Sequence, residues 1–180
     1  KQINGKQLSY NNYNDIFSAL KISKSLPKNK GTVIVKHTNP CGVSIHKNHK
    51  KSYQLALACD PMSAFGGVVA CNYKINKSLA LKFNKIFLEV IIGNGFEEKA
   101  LKILKKNKNL RIINAKNLSL KNINDFKSNF NSILTQSADI NLFSSKNFKV
   151  VSKIKPTKSE LKNLIFAFNI CRFVKSNAIV

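Results

Sequence analysis

The chain is poor in negative charge, in arginine and in tryptophan. Its 180 residues include no tryptophan and only 8 Asp and Glu against 31 Lys and Arg, which gives a formal net charge of +23 at pH 7. Arginine, the side chain best suited to bidentate phosphate and base contacts, occurs only at Arg111 and Arg172. The cation excess is therefore almost entirely lysine.

Such an excess allows two interpretations. It is typical of nucleic-acid binders, because cations that face a polyanion release its counterions. It also follows from compositional drift, since lysine, asparagine, isoleucine and phenylalanine are all heavily used. The lysines fall on every predicted helix and loop instead of forming one stripe, and this distribution favours drift over nucleic-acid binding. An anionic substrate would still benefit from the positive field.

Several further absences limit the class of protein. No C-x-x-C pair is present, so a zinc site is not expected, and we expect buried thiols in a reducing compartment. His46 and His49 have a metal-compatible spacing but lie in a lysine-rich loop without a nearby carboxylate or thiol, so no metal is expected there either. No apolar run approaches the length of a membrane span and no secretory leader opens the chain, which predicts a cytoplasmic protein.

The chain is long enough for one domain with a core. Hydrophobic residues make up 43% of it, a globular composition without internal repeats or a long Pro/Gly/Ser linker. The chain does not start with Met, and it ends at Ala178-Ile179-Val180, within what the pattern predicts as a strand. We therefore expect a fragment of a longer protein.

Apolar periodicity predicts helices and strands in alternation, which indicates an α/β layered fold. The predicted helices span residues 15–26, 52–59, 77–87, 97–106 and 157–175, and the predicted strands span 33–35, 64–71, 90–92, 110–113 and 133–134. Residues 36–42 are predicted as a loop, because Pro40 and Gly42 both interrupt regular structure. Thr157 and Glu160 have the spacing of a capping box. The last helix is apolar nearly all round, which predicts that it is central and buried.

The most informative segment follows the first of these predicted strands. Lys36 and His37 enter a loop shaped by proline and glycine, and strand carboxyl ends are where open α/β sheets bind ligands. Histidine moves protons near neutral pH, and lysine stabilises a developing oxyanion. The alternative is a hydrogen-bonded structural His37 beside a solvated Lys36, and these residues alone do not decide between the two.

Two other segments are candidates on weaker grounds. In Asp60–Gly67 (DPMSAFGG), glycines beside Phe65 would let a flat ring approach the backbone or form a bulge, and the alternative is a tight turn that leads into a strand. Asn177, after the last helix, offers a donor and an acceptor to a substrate amide, and the alternative is a helix C-cap. In both segments the structural alternative is favoured on chemistry alone.

Five segments follow one another along the chain: Gly5–Asn12 (GKQLSYNN), Lys36–Gly42 (KHTNPCG), Asp60–Gly67 (DPMSAFGG), Phe87–Ile92 (FLEVII) and Phe173–Val180 (FVKSNAIV). Taken in this order, they closely resemble one family, the AICAR transformylase domain of the bifunctional AICAR transformylase/IMP cyclohydrolase. The resemblance covers the chain from about Gly5 to Val180. One segment alone is weak evidence, whereas five in the same order are highly specific.

The resemblance implies formyl transfer from 10-formyltetrahydrofolate to the 5-amino group of AICAR, which gives FAICAR in purine (IMP) biosynthesis. It implies that His37 transfers the proton of the attacking amine and that Lys36 stabilises the oxyanion or the departing folate nitrogen. Asn177 would orient the carboxamide and formyl groups, and we expect these three side chains to surround one cavity. The resemblance further implies that the folate or purine-precursor rings are contacted by Met62, Phe65 and Gly66. It also implies an acidic residue that helps to bind substrate, Glu89.

The family fold implied for residues 1–180 is the first part of a duplicated, cytidine-deaminase-like α/β/α transformylase domain. The family implies a homodimer that shares its site, no catalytic metal, and a parent protein that is also an IMP cyclohydrolase. Asn131–Gln136 departs from the paired-glycine strand entry usual in the family. We expect the segment alone to be inactive and poorly folded, with an unpartnered sheet face. The alternatives are a basic RNA-binding module and a non-catalytic relic of the enzyme.

Overall fold

The computed structural model describes residues 1–119, 124–139 and 141–180. Its centre is a six-stranded mixed sheet in the order β1-β6-β5-β4-β2-β3. The six strands are β1 Gln2–Asn4, β2 Gly31–Lys36, β3 Asn39–Ile45, β4 Gly67–Cys71, β5 Leu88–Gly93 and β6 Arg111–Asn114. A separate two-stranded hairpin follows, formed by β7 Asp125–Asn129 and β8 Ser132–Gln136.

Within the described residues, five α-helices cover the sheet from both sides. They are α1 Tyr10–Ser25, α2 His49–Cys59, α3 Lys77–Phe83, α4 Glu98–Leu104 and α5 Lys158–Cys171. Buried residues of α2, α3 and α4 share one core cluster with the sheet, and buried residues of α1 share the other. Phe166 and Ile170 of α5 pack against the α1 cluster as partly buried residues. The predicted α/β class is confirmed, with the sheet sandwiched between two helical layers.

Burial explains why the sheet holds together. Every residue of β4 is buried, as are five of the six residues of β2, so side chains on both faces of these strands are out of water. Removing apolar surface from water contributes about 25 cal/mol per Å². The expectation of an unpartnered sheet face is wrong for these strands, because α1 and α5 cover the side that the other three helices leave open.

Strand direction corrects the expected location of the site. Strands β4, β5 and β6 are parallel, whereas β2 is antiparallel to β4. The carboxyl end of β2 therefore lies beside the amino ends of β4 and β5, and Val35 pairs with Val68 near that edge. Lys36 and His37 do follow the carboxyl end of their own strand, but this is not the edge at which the parallel strands end.

The predicted loop over residues 36–42 is largely a strand. His37 and Thr38 form a two-residue turn, and β3 begins at Asn39 and pairs antiparallel with β2. Pro40 is tolerated because β3 is an edge strand, where a missing amide proton breaks no ladder bond. Gly42 is required by close approach, since a Cβ there would lie 1.9 Å from the carbonyl oxygen of Ala56 in α2.

Other boundaries differ for identifiable reasons. Helix α1 begins five residues before the prediction, because Ser9 and Asn12 form a capping box in an asparagine-rich stretch that resembles a loop. Helix α3 ends at Phe83 and not at residue 87, and strand β4 begins at Gly67 and not at residue 64. Strand β1 was not predicted, because three residues carry no usable alternation.

The last helix differs most from its prediction. Helix α5 has the predicted capping box between Thr157 and Glu160, but it ends at Cys171 and none of its residues is buried. One side packs on the sheet while Phe168 remains 40% exposed. The prediction of a central helix is therefore wrong in the described chain, which covers one side of α5. The expected strand at residues 178–180 is also not formed.

The cysteines only partly fit the prediction of buried thiols. Cys71 is buried, Cys41 and Cys171 are half-buried, and Cys59 is exposed. In the described residues, no group of three or more His, Cys, Asp and Glu side chains could hold a metal ion. Among the described helices, none combines the length and apolarity needed to cross a membrane.

Candidate active site

Lys36 is fixed at the sheet edge by a hydrogen bond to the neighbouring turn. Its Nζ donates to the carbonyl oxygen of Phe65 at 2.7 Å, and the side chain is half-buried. The amide of Gly66 donates in turn to the carbonyl oxygen of Phe87 at 2.8 Å. The ammonium group is thus joined to the turn before β4, and that turn to the residue before β5. Lys36 thus has a fixed hydrogen-bond partner, while its ammonium group remains at the protein surface.

Gly66 permits this arrangement through its backbone conformation. Its φ of +70° lies in the left-handed region, which glycine adopts without steric cost. A Cβ at this position would lie 3.5 Å from the Phe87 ring and 3.8 Å from Lys36 Nζ. The register between β4 and β5 also shifts after Gly67, which confirms the predicted irregularity at the paired glycines.

His37 and Thr38 form a turn in which both residues have positive φ, of 54° and 66°. Non-glycine residues in this region cost about 1–3 kcal/mol each and persist only where other contacts hold them. Two side chains of α1 supply those contacts. Asp15 Oδ1 accepts from the Thr38 amide at 2.6 Å, and Ser18 Oγ donates to the Thr38 carbonyl oxygen at 2.5 Å.

The imidazole of His37 is exposed at the tip of this turn. Its polar contacts in the described structure run through the carbonyl oxygen, which accepts from Thr38 Oγ1 at 2.6 Å and from Asn39 Nδ2 at 3.4 Å. This arrangement leaves the ring nitrogens available to a ligand. It does not fit the alternative of a side chain held by hydrogen bonds.

A small pocket lies beneath the turn. Its volume is about 330 Å³, and it is lined by Lys36, His37, Asn39, Pro40, Cys41, Asp60 and Ser63. The pocket brings the two residues that follow β2 together with the start of the DPMSAFGG segment. A cation, an imidazole and a carboxylate therefore share one small, open space.

Two groups in this pocket have shifted proton affinities. Hydrogen bonds from the side chain and amide of Ser63 hold the pKa of the Asp60 carboxyl below its ordinary value, so Asp60 is ionised at neutral pH. Burial raises the pKa of the Cys41 thiol, and the negative charge of Asp60 raises it further. The pocket is thus lined by a carboxylate and a neutral thiol at neutral pH.

Asn177 lies beyond the end of α5 and is exposed. The C-cap of that helix is Arg172, so the alternative that Asn177 caps the helix is wrong. The amide of Lys175 donates to Asn39 Oδ1 at 3.0 Å, which brings the segment after α5 against the hairpin that carries His37. Asn177 is not among the described residues that line the pocket, and its convergence with Lys36 and His37 stays a prediction.

Glu89 occupies the same edge of the sheet, at the start of β5. Its Oε2 accepts from Asn12 Nδ2 at 2.8 Å and lies 3.9 Å from Arg111 Nη1. The carboxylate side chain is 42% exposed, so it is fixed by protein contacts and still reaches solvent. Within the sheet, β4 lies between Glu89 on β5 and the turn after β2, and side chains of helix α1 contact both.

Met62 and Phe65 present apolar surface beside the pocket. Met62 is 87% exposed and Phe65 is 57% exposed. The rings of Phe65 and Phe87 are tilted, with their centroids 5.4 Å apart. An exposed aromatic pair next to a glycine backbone fits a flat ring ligand, which is the use predicted for this segment.

A larger groove of about 940 Å³ lies on the other side of the turn. It is bordered by α1, by the β7–β8 hairpin and by the exit of α5. Thr38 and Lys175 lie on its wall, together with Phe173. The His37–Thr38 turn therefore separates the small pocket from the larger groove, and a ligand that contacts His37 has space on both sides.

Sequence reasoning missed the side chains that support the turn. Asp15, Ser18 and Asn39 make its hydrogen bonds, yet the sequence analysis assigned none of them a chemical role. A possible signal was the absence of glycine at a two-residue hairpin turn, which demands support from elsewhere. Finding the partners still required the placement of α1 against β2.

Comparisons with known proteins agree with the order of the segments. The profile of the family described as AICARFT/IMPCHase bienzyme matches residues 1–180. A protein of Clostridium kluyveri named bifunctional purine biosynthesis protein PurH is 44% identical over 179 residues, 99% of this chain. Proteins of the same name from a Thermoanaerobacter species and from Fusobacterium nucleatum are 44% and 43% identical over 180 residues, 100% of this chain.

These relatives are longer than the chain. The matched region covers 35% of each of the three proteins, so the chain spans about a third of their length. The profile match nevertheless covers every residue from Lys1 to Val180. The chain belongs to the AICARFT/IMPCHase bienzyme family.

Proposed function

We propose that these residues form part of an active site that transfers the formyl group of 10-formyltetrahydrofolate to the 5-amino group of AICAR, giving FAICAR and tetrahydrofolate. The observation that carries the proposal is the pocket that Lys36 and His37 share beside the exposed Phe65. Membership of the bienzyme family and the names of the relatives support a role in purine biosynthesis.

The chemistry requires a base at the amine. Its lone pair is delocalised into the imidazole ring of AICAR, so it becomes a good nucleophile only as a proton leaves. The new C–N bond forms at the formyl carbon while the carbonyl electrons move to oxygen. His37 takes the amine proton, because its exposed imidazole has free ring nitrogens at the mouth of the pocket. Collapse of the tetrahedral centre breaks the bond to the folate nitrogen, which then receives a proton.

Lys36 is suited to stabilise the negative charge that develops during these reaction steps. Its ammonium is held by the Phe65 carbonyl oxygen and keeps two further protons for donation. A preorganised donor of this kind contributes roughly 3–4 kcal/mol to lowering the barrier. We assign Lys36 to the tetrahedral oxyanion or to the departing nitrogen, and this role requires no metal.

The remaining assignments concern binding. Met62, Phe65 and Gly66 contact the folate or purine-precursor rings, supported by the exposed apolar surface at that turn. Glu89 binds substrate through a carboxylate that remains accessible. Asn177 orients the carboxamide and the formyl group, supported by the contact between the α5 exit and the hairpin.

Properties of the whole protein extend this proposal. We infer a cytidine-deaminase-like domain of which these residues form the first part, because the described sheet has helices on both faces. We also infer a homodimer and a second activity, IMP cyclohydrolase, which involves none of the residues discussed here. RNA binding is not favoured, since the chain matches a metabolic enzyme family along its whole length.

The substitution His37→Ala in the full-length protein tests the proposal. We expect kcat for formyl transfer to fall about 10²–10⁴-fold, the usual contribution of a general base, while AICAR affinity changes much less. Steady-state kinetics and equilibrium binding of AICAR measure the two effects separately.

His46→Ala is the matched control, because His46 follows the opposite end of β3 and its ring Nδ1 accepts from the amide of Asn48, away from the pocket. Its turnover number should equal that of the unmodified enzyme. An unchanged turnover number in His37→Ala would remove His37 from the mechanism. A full-length protein without transformylase activity would refute the function itself.

A further inference from the structure

One face of helix α1 carries polar side chains at three-residue intervals, Asn12, Asp15 and Ser18. They form a stripe along the helix, because residues three apart lie on the same side. The stripe faces the sheet edge at which the candidate site lies. Asp15 and Ser18 contact the turn that carries His37, and Asn12 contacts Glu89.

We propose that this stripe is a positioning element, in which Asp15 and Ser18 hold the His37 turn and Asn12 holds Glu89. The proposal rests on the function proposed above, since it concerns how the same site is set up. The three residues touch no reacting atom and act only through the turn and the carboxylate.

The turn needs outside support because of its backbone conformation. Two consecutive non-glycine residues have positive φ, and while histidine adopts this region more readily than most residues, the β-branched Thr38 does so rarely. Asp15 and Ser18 bind both polar groups of the same residue, the amide and the carbonyl oxygen of Thr38. Together they fix the peptide planes on either side of Thr38, and hence the direction in which His37 points.

Asn12 is held as firmly as the turn. The residue is 4% exposed, and its Oδ1 accepts from the Ser9 amide at 3.1 Å in the capping box. The opposite end of the same amide group donates to Glu89 at 2.8 Å. Since the cap fixes the side chain, the position of Glu89 is set relative to α1, and therefore relative to His37.

Ordinary packing does not explain these contacts. Helix α1 is anchored on the sheet by buried apolar residues on its packing face, including Ile16, Ala19 and Leu20. The polar stripe adds no apolar burial to that anchor. Apart from the capping contact of Asn12 with Ser9, the side-chain hydrogen bonds of the stripe that are described above go to Thr38 and to Glu89, on two different parts of the sheet.

Asp15→Ala and Ser18→Ala in the full-length enzyme test the first half of the proposal. Each should lower kcat for formyl transfer at least tenfold and leave the KM for AICAR within twofold, because the turn loses one anchor and His37 is displaced. Asp15→Asn keeps an acceptor oxygen and should recover kcat to within about threefold of the unmodified enzyme.

Asn12→Asp tests the second half. It keeps the acceptor for the Ser9 amide but loses the donor to Glu89 and places a second carboxylate beside it. The KM for AICAR should rise about tenfold, with a smaller change in kcat. Asn11→Ala, an exposed substitution on the same helix, is the control and should change neither constant.

The outcomes separate this inference from the proposed function. An unmodified enzyme that is active, with Asp15→Ala equally active or with Asp15→Asn no better than Asp15→Ala, overturns the inference alone. A crystal structure of full-length Asp15→Ala gives a readout that needs no activity. Loss of the positive φ at Thr38 supports the positioning role, and an unmoved turn refutes it even if the transformylase assignment fails.

Discussion

The cysteines of this chain lie in different environments, and their thiols are therefore expected to differ in reactivity. Cys59 is exposed at the end of α2, whereas Cys71 is fully buried in β4 and burial raises its pKa to about 12. Cys41 lies between these extremes, with a pKa raised by burial and by Asp60. Only the thiolate is nucleophilic, so exposure and pKa together determine the reactivity of each thiol.

We therefore expect iodoacetamide at neutral pH to alkylate Cys59 first, Cys41 more slowly and Cys71 only after unfolding. Time-resolved mass spectrometry of the digested chain measures the three rates. Asp60→Asn removes the negative charge that raises the Cys41 pKa, so it should accelerate alkylation of Cys41 and leave that of Cys71 unchanged. Equal rates at Cys59 and Cys71 in the folded chain would contradict the buried placement.

Two glycines are required for different reasons, one because of steric space and the other because of its backbone conformation. At Gly42 a Cβ would collide with the Ala56 carbonyl oxygen, whereas at Gly66 the nearest atom is 3.5 Å away and only the positive φ opposes a side chain. We expect Gly42→Ala to lower the free energy of unfolding by about 3 kcal/mol, as overpacking does. Gly66→Ala should lower it by about 1–2 kcal/mol, the cost of a left-handed alanine.

Urea denaturation of the two variants beside the unmodified chain measures this difference. A larger loss for Gly66→Ala than for Gly42→Ala would show that α2 does not approach β3 as closely as described. Lys77→Ala, at the exposed start of α3, should leave the unfolding midpoint close to that of the unmodified chain.

Among the helices and strands, those with a clear apolar pattern or a capping motif could be predicted from the sequence. The central strands were predicted because each is a short apolar run, and the capping box of α5 because Thr157 and Glu160 have the required spacing. Strand β3 was missed, since edge strands accept Pro40 while sequence patterns treat proline as a breaker. The burial of α5 was overestimated, because composition reports how apolar a helix is and not what covers it.

The candidate site divides in the same way. Lys36, His37 and Phe65 could be identified from their segments. In the structure, Lys36 and His37 line the same small pocket, and Lys36 donates to the carbonyl oxygen of Phe65. The supporting contacts could not be predicted, because Asp15 reaches Thr38 across 23 positions of sequence. Such pairs depend on the docking angle of a helix on a sheet, which no local pattern specifies.

For the whole molecule, the net charge of +23 is distributed over opposite surfaces. Lysines occur on α1 and α5 on one side of the sheet and on α2, α3 and α4 on the other. Nucleic-acid binding needs cations on one continuous face, where counterion release is strongest. The lysines therefore produce a positive potential around the whole molecule and do not form one continuous basic surface for binding.

We accordingly expect weak association with a short labelled RNA at low salt and none at physiological salt. Fluorescence anisotropy across a salt series measures this loss. An unrelated basic protein of similar net charge serves as the reference. Tight RNA binding at physiological salt that AICAR does not displace would favour the nucleic-acid alternative over the enzymatic one.

The pairing of the first strand with the last strand of the sheet has a consequence for biosynthesis. Strand β1 pairs with β6, so that Gln2 lies opposite Ile113, and Asn4 Nδ2 donates to the Leu110 carbonyl oxygen. Contacts between such distant positions form slowly, because a long loop must close first. During translation, the residues of β1 therefore remain unpaired until β6 has left the ribosomal exit tunnel. A translational pause before that point would prolong the exposure of the β5 edge to other nascent chains.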